Sequence, residues 1–185
     1  FGLKTYLTCS DGTQIVSPLF FNKDMKEVRK QGRRLSKAVR GSNNRKRRMF
    51  ELQQTYRRIQ NRRNDFQWKL AHDLCRKYDY IFIEDLNLSS MSRLWGRKIG
   101  DLCHAEFVSK LTYVATKYGV TVHKIDRWYP SSKTCVCGHI NKSLSLKDRT
   151  WVCSECGAVN DRDLLASNNI LRKGISELES SGKTG

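Results

Sequence analysis

Four cysteines fall between positions 135 and 156, as Cys135-Val-Cys137-Gly and Cys153-Ser-Glu-Cys156-Gly, with a short polar stretch between the pairs. No other feature restricts what the chain can fold into so sharply. A segment this small has little core of its own, so a bound metal must supply much of its folding free energy. Four thiolates satisfy the tetrahedral preference of Zn²⁺, and a glycine after each pair permits the tight turn that aims both sulfurs at one ion. Cys153 and Cys156 have the usual two-residue gap of a zinc ribbon, whereas Cys135 and Cys137 are separated by one residue, which shortens that knuckle. Three readings stay open: a site of Cys135, Cys137, Cys153 and Cys156, a mixed site in which His139 replaces one thiolate, and no metal. In a chain of cytosolic character metal binding outranks disulfides. Cys9, Cys75 and Cys103 stand singly and read as core residues.

Around this insert the sequence alternates between strand-like and helix-like patterns. The opening FGLKTYLTCSDGTQIVS reads as two strands joined at Asp11-Gly12, a strong hairpin signal, and the PLFF run at 18–21 suggests a third strand bounded by Pro18. From about Met25 to Tyr78 the pattern is helical, broken at Gly41-Ser42-Asn43-Asn44. Two helices are therefore expected, the second with Leu52, Tyr56, Ile59, Phe66 and Leu70 on one stripe and Arg63 filling its gap. YDYIFIEDLNL reads as a buried strand that ends in acids. A helix over 101–118 stops at Gly119, where a C-cap belongs, and VTVHKI at 120–125 is another strand. Strands alternating with helices after a hairpin predict a mixed α/β sheet. Beyond Gly174 the polar SELESSGKTG is expected to be a disordered tail.

Charge points to the partner. Lys and Arg number 35 against 18 Asp and Glu, a formal net charge of +17. Such an excess favours phosphate backbones through counterion release. The face opposite the apolar stripe of the second long helix concentrates it, in Arg45, Lys46, Arg47, Arg48, Arg57, Arg58 and Arg62, and so little acid is interspersed that a phosphate-tracking surface is favoured over a merely solvated one. No apolar run approaches the roughly 20 residues of a membrane helix, and nothing at the start resembles a signal peptide. The expectation is a soluble cytoplasmic protein without membrane contact.

Two acidic features stand apart from this basic background. Glu84-Asp85 closes the predicted strand IFI, and Asp161-Arg162-Asp163 opens the last helix. Each alone has a simpler explanation, because Asp caps helices and acids favour the positive end of the helix dipole. Together in a basic chain they suit Mg²⁺ held by a few carboxylates and by phosphate oxygens of a substrate.

The succession FGLKTYLTCSDG, IEDLNLSSM, LWGRKIGDL, KIDRWYPSSKTCVCG and WVCSECGAVNDRDLLASNNIL resembles the C-terminal half of TnpB proteins of bacterial insertion sequences, relatives of type V CRISPR effectors. Five spaced blocks in order over nearly the whole chain make the resemblance specific. It implies an α/β, RNase H-like (RuvC) fold, its mixed sheet flanked by helices and interrupted by a zinc ribbon, that cleaves target DNA selected by pairing with a guide RNA. The implied cofactors are a structural zinc and two catalytic Mg²⁺ ions, and the implied location is the bacterial nucleoid. Of the family's three metal-binding carboxylates the second block places one at Glu84, and the last places another at Asp163, with Asp161 the second choice. The first sits directly ahead of the block that begins at Phe1, so the first catalytic strand is expected to be truncated: either the chain is a fragment lacking its N-terminal half, or its parent lacks that acid. Leu165 stands where the family usually has Asn.

The expected division is a nuclease core over 1–129, a ribbon over 130–160, a closing segment over 161–174 and a tail over 175–185. Trp95, Trp128 and Tyr129 read as core aromatics, with stacking on displaced bases the alternative. A guided repressor with a dead nuclease, or a non-cutting DNA-binding accessory of transposition, are the rival functions.

Overall fold

A computed structural model describes residues 1–2, 5–86, 103–145 and 147–182. Trp95, the block around it and the first two residues of the helix expected from 101 lie outside these. Strand β1 (Thr5–Thr8) pairs antiparallel with β2 (Gln14–Val16), with an irregular register between Thr5 and Leu7. Their turn uses Gly12 at φ 85°, where a side chain would be strained, and the Asp11 carboxylate accepts from Thr13 N at 2.9 Å. The same carboxylate accepts from Lys77 Nζ at 2.6 Å and Tyr78 Oη at 2.7 Å, which docks the hairpin tip on the end of a long helix. Lys77 is the main reason that this carboxyl lies well below its ordinary range.

The PLFF run is not a third strand. Pro18 has no N–H to offer a ladder, Leu19 turns into the left-handed region at φ 48°, and helix α1 runs from Phe20 to Ser36. After the turn at Gly41, Ser42 caps α2 (Asn43–Lys77) by accepting from Arg45 N. This helix has 35 residues and is about 50 Å long. Its buried face is Thr55, Ile59, Gln67, Leu70, Ala71 and Cys75; Tyr56, expected on the apolar stripe, is exposed. Helix α3 (His104–Tyr118) packs against it and ends at Gly119 in the left-handed region, as the sequence predicted. Tyr6, Leu7, Leu70, Ala71, Phe107, Leu111, Val114 and Ala115 form the main core between β1, α2 and α3.

Strand β3 (Tyr80–Glu84) pairs in parallel with β4 (Thr121–Ile125), and α3 lies in the connection between them. Strands β5 (Thr150–Val152) and β6 (Val159–Asp161) form an antiparallel pair around the second cysteine knuckle. The expected mixed sheet is thus, among the described residues, three separate two-stranded sheets. Helix α4 (Arg162–Ser180) contacts β1, β3, β4 and β6 and unites them. It also corrects the expected tail. Ser176, Glu179 and Ser180 lie on its outer face, while Gly174 and Leu178 are buried on its inner one and Glu177 is half-buried against His123. Gly174 is required there, because a Cβ at this position would lie 2.0 Å from the Phe82 ring of β3.

Candidate functional site

The ribbon is built from two knuckles of the same kind. Gly138 N donates to Cys135 O at 3.0 Å and Gly157 N to Cys153 O at 3.0 Å, and both glycines take positive φ. Cys153 N also donates to Ala158 O, and Cys135 N to His139 O. The shortened first knuckle still delivers its sulfurs: Cys135 and Cys156 Sγ are 3.6 Å apart, Cys137 and Cys153 Sγ 3.7 Å, and all four lie within 4.8 Å of one another. Four thiolates at about 2.3 Å from one tetrahedral Zn²⁺ would be about 3.8 Å apart. The four-cysteine set therefore fits zinc. His139 is not in the cluster, its Nε2 being 3.3 Å from Ser154 Oγ.

Two of the thiols are shifted in opposite directions by their surroundings. Cys135 is held down at about 6, chiefly because the Cys137 backbone N–H donates to its sulfur. At Cys156 the Ala158 N–H acts in the same direction but is outweighed by the crowding sulfurs and by desolvation, which push it up to about 12. Four adjacent thiolates repel one another, and a dication removes the conflict. Behind the cluster, Trp151 and Leu165 of α4 are buried against Cys135 and Cys153.

A second site lies where β3 ends and α4 begins. Glu84 and Asp163 line one cleft of about 150 Å³ together with Phe1, Gly2, Ser131, Arg162 and Ser167. Ser131 Oγ donates to Glu84 Oε1 at 3.2 Å, and Arg149 Nη1 donates to Asp163 Oδ2 at 3.4 Å. Asp161 instead caps α4, its Oδ1 accepting from the backbone N–H groups of Asp163 and Leu164 at 3.0 and 2.8 Å. Asp85 pairs with Arg127. Beside the Arg162 guanidinium, the side chains of the cleft that can ligate a cation offer oxygen, the chemistry that suits a hard ion such as Mg²⁺. Sequence reasoning missed Ser131, whose only hint was its place among the polar residues ahead of Cys135.

The basic residues of α2 are not equivalent. Lys46, Arg57 and Arg58 are exposed. Arg45 is half-buried and donates to Leu35 O at 2.9 Å and Ala38 O at 3.2 Å, closing the end of α1. Arg47 and Arg48 face Glu51, at 4.0 and 3.1 Å, and Arg62 pairs with Asp24. Of the aromatics, Trp128 is 82% exposed and so is not core, while Tyr129 is half-buried.

Fold and sites together define a mixed α/β domain with a four-cysteine ribbon beside an acidic cleft. The family described as "Probable transposase" (OrfB_IS605) matches residues 1–94, and the "Cas12f1-like, TNB domain" matches residues 104–170. A "Putative RNA-guided DNA endonuclease" of Streptomyces pristinaespiralis is 38% identical over 95% of the chain and 44% of its own length. "TnpB-like protein L79" of Acanthamoeba polyphaga mimivirus is 33% identical over 67% of the chain and 25% of its own length. The chain belongs to the TnpB family, and it spans under half the length of these relatives. Its fold matches one in "Cryo-EM structure of the Cas12f1-sgRNA-target DNA complex" with a TM-score of 0.59 at 20% identity, over 85% of this chain and 43% of the other. No helix among the described residues is long and apolar enough to cross a membrane.

Proposed function

We propose that this chain is the RuvC-like, RNase H-type nuclease portion of an RNA-guided DNA endonuclease, acting with an N-terminal recognition portion, a guide RNA and target DNA. The observation that carries the reading is the meeting of Glu84 and Asp163 in one cleft from positions far apart in sequence. In this reading Glu84 and Asp163 hold Mg²⁺, and Ser131 fixes the Glu84 rotamer by its hydrogen bond. An acid placed directly ahead of Phe1 would enter the same cleft, because Phe1 and Gly2 line it. Bound Mg²⁺ would activate water and stabilise the leaving oxygen of a phosphodiester. Arg162, on the same wall, is held by Ser145 O and Asp148 O at 3.2 and 3.4 Å, and a cation at Asp163 would compete with the Arg149 guanidinium 3.4 Å away. Base pairing supplies sequence recognition, while Lys46, Arg57 and Arg58 track the backbone.

The test uses the full-length protein with guide RNA and Mg²⁺. Glu84→Ala and Asp163→Ala should each abolish target cleavage and leave target binding within a few-fold of wild type, since affinity resides in pairing and distributed basic contacts. Efficient cutting by Asp163→Ala would overturn the assignment. A wild type that binds its target and never cuts would establish a guided repressor instead.

A further inference from the structure

The ribbon and the acidic cleft share one short segment, Ser131 to Cys135. At one end the Ser131 hydroxyl holds Glu84; at the other, Cys135 is a thiol of the metal cluster. Between them the segment is gripped by one buried side chain of α4. Asn169 is 2% exposed, and its amide donates to Ser131 O at 2.8 Å and to Thr134 O at 2.6 Å. Both amide protons are spent on backbone of this segment. Asn169 stands one helical turn after Leu165, which packs on Cys135 and Cys153, and two turns after Asp161, which caps the turn carrying Asp163.

We infer that Asn169 is a positioning residue that clamps Ser131 and Thr134 in register with α4, so that occupancy of the ribbon by zinc and the alignment of Glu84 with Asp163 are coupled through it. The physical reason is satisfaction. The amide sits where water does not reach, and the two carbonyls it serves would otherwise be left without this donor, so displacement of the segment breaks both bonds at once. Zinc fixes Cys135 and with it Thr134; Asn169 transmits that fixation to Ser131; Ser131 holds the carboxylate. The linkage is reciprocal: a cation drawn to Glu84 and Asp163 holds Ser131 in place and raises the affinity for zinc by the same factor.

The inference rests on the assignment of Glu84 and Asp163 as cation ligands, and two readouts separate the two claims. The zinc-loaded chain is followed by transfer of zinc to a coloured chelator, and by the electron paramagnetic resonance signal of free Mn²⁺, a spectroscopic substitute for Mg²⁺. Asn169→Ala and Asn169→Asp, the latter isosteric but without the donors, should speed zinc transfer about tenfold and weaken Mn²⁺ binding several-fold. Ser131→Ala should weaken Mn²⁺ binding alone, and Ser131→Thr, which keeps the hydroxyl, should restore it. Wild-type zinc transfer in both Asn169 variants would overturn the clamp. So would unchanged Mn²⁺ binding in the Asn169 and Ser131→Ala variants where Glu84→Ala abolishes it. If Glu84→Ala leaves Mn²⁺ binding as it was, the carboxylate assignment falls, and the zinc-transfer rates of the Asn169 variants still decide whether the segment is clamped.

Discussion

The ribbon and the acidic cleft are both places where ligands converge, and they are assembled in opposite ways. The four sulfurs come from two knuckles within a single stretch of chain, each closed by a glycine and a local hydrogen bond. The two carboxylates come from β3 and α4, and only packing of α4 across β3, permitted by Gly174 against Phe82, brings them to one cleft. A locally built site can be read from spacing. A site built by packing cannot, because its geometry is a property of helix placement.

That contrast is broken most directly by removing the metal. Purified chain should carry about one zinc, and Cys153→Ser should lose it, with β5 and β6 then losing hydrogen-exchange protection while the core of β1, α2 and α3 keeps its own. Structural zinc in small domains contributes on the order of 10 kcal/mol, so this is the largest effect expected. His139→Ala should leave zinc content unchanged, since the ring lies outside the thiol cluster. A metal-free chain with protected β5 and β6 would show that the ribbon, too, is held by packing.

Acid should act on the core. His104 is 4% exposed, packed at a tilt against the rings of Phe1 and Tyr6, and burial lowers it to about 4. Above about pH 6.5 the imidazole is neutral in both folded and unfolded chains, and its contribution is intact. As pH falls from there to about 4 only the unfolded chain takes up the proton, and about 3 kcal/mol is lost. His104→Phe should flatten this slope in urea unfolding followed on α2 and α3. A slope that persists in that variant would assign the acid sensitivity to other groups.

Gly174→Ala should cost about 1–3 kcal/mol by forcing the Phe82 ring aside. Zinc content should stay at the wild-type level, because Leu165, not Gly174, is the α4 residue that packs on the ribbon. Unfolding midpoints and zinc content measured on one preparation test both halves, and a variant as stable as wild type would mean that α4 is not seated by this contact.

How much of this was legible follows the same division. The hairpin at Asp11-Gly12, the cysteine ribbon and the stop at Gly119 are encoded by turn chemistry over a few residues, and each was readable. The PLFF run misled because β-forming residues were outweighed by Pro18 and the left-handed Leu19, which open a helix instead. The supposed tail misled because its polar composition is that of an outer helix face whose inner face is Leu178. Glu84 and Asp163 were recognisable as candidates, but Ser131 and Asn169 were not, since their partners lie 35 to 47 residues away.

The smallest effects belong to the basic face of α2, where residues that look alike in sequence should behave differently. Arg57 and Lys46 are exposed, so on nucleic acid each can neutralise a phosphate and release a counterion. Arg57→Ala and Lys46→Ala should each lower the slope of log affinity against log salt by about 1, with similar loss for every sequence tested. Arg45 already donates to the Leu35 and Ala38 carbonyls at the end of α1. Its guanidinium cannot move to a phosphate without giving up both bonds, a cost of about 1 kcal/mol that a solvent-screened contact does not offset, although Leu35 O keeps the bond from Ala38 N. Arg45→Ala should therefore leave the salt slope unchanged and reduce the stability of the α1–α2 hairpin by about 1 kcal/mol. Salt titrations of duplex binding, paired with thermal unfolding of the three variants, decide the matter. A drop in salt slope for Arg45→Ala equal to that for Arg57→Ala would make the whole face one phosphate-tracking surface and erase the distinction.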